Sequence, residues 1–492
     1  MNSELVLAID VSTHSTRTAL IDMAGQRLTG TAARQNYELS TSSDGGAELE
    51  PGVLLRAVVH CLEQTMHAHR LDPALHGRRI AAIGVSCFWH SLVGCDAKGI
   101  SLTNIVTWAD SRCREEAAKL RQRFEEKKIH ARTGCMLRAS FWPAKLRWLE
   151  RTHHRKFTAV KRWMSPAEWL QFTLAGEANC ALAMASGTGM FNPAKLEWDP
   201  DLVKYCEIDR DHLPPVSDEP TPAGGRLAAQ FPELKDVPWF PGIGDGAAGN
   251  LGSGATRAGV CAIHVAATGA LRVVREGRDP SAPLGLSCYR VDVRRFLVGG
   301  AVSNAGNLRA WCLRELKLCD DAAIEAELAR RPGPCHGLVV LPCLNTERAP
   351  TWNEDATGAI HGMTHHTTAL DLLQAITEAT YLRLALISEM VIAGEKTVPK
   401  FIVSGGISRS PSSLQRLADI LGHTIYPNEE SEAFLRGAAI FALEKLGHGA
   451  PDGEVRRAVR PRAKFVKLYA AEREKQQVLE SSLGAAFRDA RG

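Results

Sequence analysis

The stretch Gly242-Ile-Gly-Asp-Gly-Ala-Ala-Gly-Asn-Leu-Gly-Ser-Gly-Ala255 decides the reading of this chain, because one carboxylate, Asp245, stands almost alone among glycine and alanine. Small residues allow backbone to approach closely on every side, which suits a base held on a rigid support. By itself the stretch leaves two readings open. Asp245 is either a catalytic carboxylate or the N-cap of a small-residue helix through Ala247 and Ala248, where an Asp side chain satisfies orphan amides.

A second carboxylate shifts the balance. Leu5-Val-Leu-Ala-Ile-Asp10 reads as an apolar strand, Val11 to Ser15 as a turn crowded with hydroxyls, and Thr16 to Asp22 as a second strand. Asp10 therefore lies where a strand ends and polar backbone is exposed. Such a turn can hold phosphate through backbone N–H groups and hydroxyls, while the carboxylate holds Mg²⁺ directly or through water. An ordinary hairpin with a solvated turn would look the same in isolation. Two glycine clusters, Gly299-Gly-Ala-Val-Ser-Asn-Ala-Gly306 and Val403-Ser-Gly-Gly-Ile-Ser-Arg-Ser410, each follow an apolar strand-like run. Gly-Gly is common in turns, so each is weak alone.

Their order along the chain is more specific. Asp10-x-Ser-Thr-x-Ser-Thr-Arg17, Gly244-Asp-Gly-Ala247, Gly299-Gly-Ala-x-x-Asn304 and Ser404-Gly-Gly-Ile407 together resemble the FGGY carbohydrate kinases, over about residues 5 to 447. The resemblance implies an α/β fold of two actin-like, ribonuclease-H-like ATPase domains flanking a catalytic cleft, where ATP, Mg²⁺ and a sugar meet. It implies Asp245 as the general base and Asp10 as the Mg²⁺ carboxylate. Thr13, Ser15, Arg17 and Thr268 match phosphate-contacting positions, and Gly306, Gly405, Gly406 and Ser410 fall where the family holds the adenosine half. On the sugar side, Trp89-His90 and Trp108-Ala-Asp110-Ser-Arg112 occupy substrate motifs, so Trp89, His90, Trp108, Asp110 and Asp245 are the candidate sugar contacts. Tryptophan is also highly buried on average, so packing competes with binding as the reading of Trp89 and His90.

The chain departs from the family pattern at Ser12, where a glycine is usual, at His14, and in Ala266-Ala-Thr-Gly269, where one phosphate-contacting hydroxyl is lost at Ala267. A positive φ at Ser12 would cost about 1 kcal/mol or more. Ala185-Ser-Gly-Thr-Gly-Met-Phe-Asn-Pro193 with the two tryptophan motifs resembles the gluconokinase branch more than the glycerol or xylulose branches. The expected reaction is ATP-dependent phosphorylation of D-gluconate to 6-phosphogluconate. A pentulose or polyol kinase is the alternative among enzymes, and a weakly catalytic sugar sensor is the alternative of another class. Leu341 to Asn353 looks like a further family signature, with Glu347 and Arg348 as a candidate ion pair.

Composition is compatible with this reading. A chain of 492 residues with 45% hydrophobic content can build two substantial cores. The net charge of +4 is small and dispersed, so no basic stripe argues for nucleic acid. Thirteen cysteines without a C-x-x-C pair suggest reduced thiols in a cytoplasm. The N-terminus lacks a basic n-region, and no apolar run approaches a membrane span. The expected partners are a sugar or sugar acid and ATP, with a homodimer left open. The expected domains are 1–246, sugar-binding with the first phosphate loop; 247–450, nucleotide-binding; and a charged tail, 451–492. Helices are expected over 48–66, 367–391 and 431–445, and 141–215 reads as an irregular sugar-side elaboration holding five of the ten tryptophans.

Overall fold

The computed structural model describes residues 4–331, 333–344, 346–430, 432–449, 455 and 457–489. Its contacts form two compact units that are not successive blocks of sequence. One unit joins Met1–Arg257, Val274–Leu297 and Glu432–Gly453; the other joins Ala258–Val273, Val298–Ser431 and Glu454–Gly492. This differs from the expected division at 246/247 with a separate tail. The physical reason is that the Ala433–Lys445 helix lies on the strands Glu4–Val11 and Arg79–Cys87 of the first unit. The C-terminal helix Ala463–Asp489 instead packs in the second unit, where Tyr469 and Gln476 are each 1% exposed.

In the first unit a sheet runs in the order Thr221–Pro222, Pro238–Trp239, Arg79–Cys87, Glu4–Val11, Ser15–Asp22, Ala33–Asn36. Leu5 to Ile9 are all buried, as a strand covered on both faces requires. One cover is the helix Pro51–Leu71, which starts at its proline because the missing N–H costs nothing there, and which buries Leu54, Val58, Leu62 and Met66 at helical spacing. The other is the Ala433–Lys445 helix; Ser431, where the expected helix begins, lies outside the described residues. The triplet Gly437-Ala-Ala439 lets it sit tightly, as its small residues suggest. A Cβ on Gly437 would meet the Ala248 carbonyl oxygen at 1.8 Å, and one on Gly252 would meet the Ala433 carbonyl at 1.7 Å. The helix Asp245–Gly252 is thereby pressed backbone to backbone against its neighbour.

The second unit repeats the arrangement without repeating the sequence. Val260–Val265 pairs antiparallel with the strand opening at Gly269 and parallel with Lys400–Gly405, which pairs parallel with Ile425–Pro427. Glu4–Val11 has the same two kinds of neighbour in the first unit. The long helix Ala369–Ile392 begins at a capping box in which Thr368 and Asp371 satisfy each other's backbone amides. Its buried face joins Leu308, Ile324, Leu328 and Leu338 in one apolar cluster. Glu347 pairs with Arg383 at 3.6 Å and feels Arg348 electrostatically, while Arg348 also donates to Ser303 and the Val302 carbonyl. All thirteen cysteines are free thiols. Among the described residues no helix is long and apolar enough to cross a membrane.

Candidate active site

Strand register brings the two carboxylates together. Asp10 stands opposite Arg17 across the antiparallel pair and opposite Ser86 across the parallel pair. Ile243–Gly244 then adds in parallel on the far side, with Ile243 opposite Ser86. Neighbouring strands are about 4.8 Å apart, so Asp10 and Ile243 are separated by roughly 10 Å of sheet. Two residues beyond Ile243 the chain enters its helix at Asp245. Carboxyl ends of parallel strands are where open α/β sheets bind ligands.

Asp10 is 1% exposed, and neither carboxylate oxygen has a hydrogen-bond partner. Burial pushes its pKa up from 3.8 to about 6, opposed by the Arg17 guanidinium and by the Ser86 hydroxyl, which is close by but outside hydrogen-bond geometry, and reinforced by the negative charge of Asp245 and Glu432. Arg17 reaches Asp10 at 3.6 Å and also pairs with Glu432. Two buried orphan carboxylate oxygens are what a hard, oxygen-seeking cation needs, so Asp10 fits Mg²⁺.

Asp245 is half-buried and occupies the first helical position; the N-cap is Gly244. Its Oδ1 accepts from the Gly246 amide at 2.8 Å, a bond to the next residue, and Gly244 holds the N-cap position. Trp89 packs against the preceding residue, Gly244. A Cβ on Gly244 would fall 1.8 Å from the Trp89 ring, so only glycine admits the indole there. Trp89 is 2% exposed and donates its indole N–H to the Ala183 carbonyl at 3.0 Å, which fixes it as a packing surface for the Gly244 backbone.

The remaining sugar-side candidates divide. His90 is half-buried in a left-handed backbone conformation, φ 67°, with its Nδ1 against the Gly187 carbonyl. Trp108 is half-buried and donates to the Thr13 hydroxyl at 3.1 Å, tying the sugar motif to the phosphate turn. Asp110 is 1% exposed and bonded to Arg112 and the Ala47 amide, so both its oxygens are occupied. Two residues at this site were not singled out from the sequence. Tyr289 packs on Trp89 and His90, with ring centroids 4.7 and 5.8 Å away. Lys145 is fully buried within Trp142–Thr152. Its signal was available, since it falls on the apolar face shared by Trp142, Leu146 and Leu149, where a lysine is out of place.

The first phosphate turn is unstrained at Ser12. Among the described residues the non-glycine positive-φ positions are His90, Leu196, Glu207, Asp236 and Trp352. Ser12 closes the turn with its amide and hydroxyl on the Ser15 carbonyl, both at 2.9 Å, and its own carbonyl accepts from Tyr37. Ser15 is buried and His14 exposed. In the second unit, the turn Ala266–Thr268 is gripped by the amides of Gly306 and Asn307, which donate to the Ala266 and Ala267 carbonyls. Thr268 is half-buried and Ala267 exposed. Gly405, at φ 94°, lies against the Val265 carbonyl, and Gly406 follows in a short 3₁₀ turn. Ser410 caps the helix Pro411–Leu421 and donates to Glu325 at 2.7 Å.

Residues 5–252 match the N-terminal domain of the FGGY family of carbohydrate kinases, and residues 252–445 match its C-terminal domain. The chain belongs to the FGGY carbohydrate kinases. As an FGGY kinase it is an ATP-dependent phosphotransferase that works with Mg²⁺. A gluconokinase of Bacillus subtilis is 26% identical over 457 residues, covering 90% of this FGGY kinase and 88% of the relative. A xylulose kinase and a gluconate kinase of Lactobacillus acidophilus each superimpose with a TM-score of 0.89 at 24% identity, covering 99% of both chains. Their fold is the two-domain actin-like α/β architecture of the FGGY kinases.

Proposed function

We propose that this FGGY kinase phosphorylates a sugar acid, D-gluconate to 6-phosphogluconate, with Asp245 as the general base. The observation that carries the base assignment is the pairing of Asp245 with Asp10. Two carboxylates at the carboxyl ends of parallel strands that flank one central strand, one of them buried with orphan oxygens, are costly to keep unless phosphoryl transfer uses both. Asp245, bonded to the Gly246 amide and following a glycine that packs on Trp89, accepts the proton of the attacked hydroxyl. Carboxylate bases of this kind contribute about 10²- to 10⁴-fold. Mg²⁺ held by Asp10 would offset charge on the phosphates. Thr13, Ser15, Arg17 and Thr268 contact the phosphates, and Gly306, Gly405, Gly406 and Ser410 frame the adenosine. His90, with Trp108, binds sugar hydroxyls; Trp89 and Asp110 support them from behind. The choice of gluconate rests on the Bacillus relative and on the motif at 185–193, and the setting is cytoplasmic.

A coupled ADP-release assay across sugar acids, ketoses and polyols tests the reading. Preference for gluconate supports it. Preference for a pentulose or polyol keeps the base and replaces the substrate, and sugar-independent ADP release alone overturns it.

A further inference from the structure

The side chain of Lys145 is fully buried, and its Nζ donates to two carbonyl oxygens, His90 at 2.5 Å and Ser140 at 2.7 Å. A buried ammonium with carbonyl partners alone is an expensive way to fill a core position. Three residues earlier on the same helix, the Trp142 indole donates to the Ser91 carbonyl at 3.1 Å. One helix face therefore grips two successive carbonyls of the loop that carries His90. That grip falls where the backbone is strained, since His90 holds a conformation that side chains with a Cβ rarely adopt. The imidazole is fixed from its other side by the Gly187 carbonyl and by the edge of Phe141, 4.9 Å between centroids.

The geometry points to Lys145 as a positioning residue for the sugar, whose ammonium holds the His90 turn in the form that presents the imidazole, without touching substrate. This rests on the sugar-side role proposed for His90. A structural lysine would lower stability when removed and leave the kinetic constants in proportion. A positioning lysine would shift the sugar constant alone. The protonation state supplies a second handle. Burial pushes the Lys145 pKa down to about 8, with Cys113 and Asp110 pulling it back up. Of the groups that act on it, Asp110 is itself paired to Arg112, and His90 meets it through a backbone carbonyl. Above about pH 8 the ammonium becomes an amine, and its two bonds lose the charge assistance that roughly doubles their strength.

The test uses the full chain, with steady-state kinetics in sugar and in ATP from pH 7.5 to 9.5 for wild type and Lys145→Met. At pH 7.5 the variant should raise the sugar KM at least tenfold and leave the ATP KM within twofold. The wild-type sugar KM should climb with pH toward the variant's, and the variant's should stay flat. Sugar and ATP constants that move together, or a flat wild-type sugar profile, would overturn the proposal. If Lys145→Met does not fold, the wild-type profile alone decides. If wild type turns over no sugar, the function proposed above fails separately. Hydrogen exchange at amides 89–92 then tests Lys145, with faster exchange in the variant expected and unchanged protection counting against it.

Discussion

Asp10→Asn should make the metal-free protein more stable and the enzyme inactive. Burial raises the Asp10 pKa from 3.8 to about 6, so the folded state binds the proton more tightly than the unfolded chain. Stability tied to this group is therefore complete below about pH 4 and is lost as pH rises through 6. A shift of about 2 units at 1.36 kcal/mol each amounts to about 3 kcal/mol of destabilisation at pH 8, falling to about 1 kcal/mol at pH 4.5. Asparagine is neutral throughout and escapes that cost. The residue is 1% exposed, so solvent screening takes little from the figure. Urea unfolding in EDTA at both pH values measures it directly. The expected result is a stability gain that shrinks with acid, together with loss of turnover. Mg²⁺ should stabilise wild type at pH 8 and leave the variant unmoved. A variant less stable than wild type at pH 8, or a gain independent of pH, would mean that Asp10 is a structural partner of Arg17 and would refute the reasoning.

Asp245→Asn keeps the bond to the Gly246 amide and should fold normally, while kcat falls by about 10² or more with sugar and ATP binding preserved; turnover within about tenfold of wild type would remove the base from Asp245. His90→Ala should raise the sugar KM roughly 5- to 150-fold, the cost of one buried hydrogen bond, with the ATP KM nearly fixed; a change confined to thermal stability would make His90 a packing residue. Ala267→Thr, at an exposed position of the second phosphate turn, should lower the ATP KM by restoring a hydroxyl. Ser12→Gly should bring no such gain, because it relieves no strain and removes a hydroxyl bond to Ser15; a lower ATP KM in that variant would show that the turn resists nucleotide.

Most of the fold was legible where one element carried its own signal. The hydrophobic run ending at Asp10, the helical spacing after Pro51 and the small residues at 437–439 each point to one local structure. The interleaving of the units was not legible, because nothing local says that residues after 431 return to strands near the start of the chain. At the site, Asp10 and Asp245 could be read from their settings, but the register that joins them passes through Ser86, which has no distinguishing chemistry. Trp89 and Asp110 show the opposite difficulty. Their residue types suit sugar binding, yet the Ala183 carbonyl occupies the indole N–H of one, and Arg112 with the Ala47 amide occupies the oxygens of the other. Tyr289 meets the site from a distant strand and left no mark in the sequence.

The Ala433–Lys445 helix also imposes a timetable on synthesis. The strands it covers are made first, but their cover emerges only after the 134 residues from Val298 to Ser431 that belong to the other unit. From the sheet's last strand, ending at Gly244, to the end of that helix at Lys445 is 201 residues, so at about 5–20 residues per second the nascent sheet waits roughly 10–40 s with Gly84 and its apolar neighbours open. The support beneath the Asp245 helix is thus the last piece of the first unit to leave the ribosome. A chain that stops short of residue 432 would carry both carboxylates and lack the backbone surface that holds one of them in place.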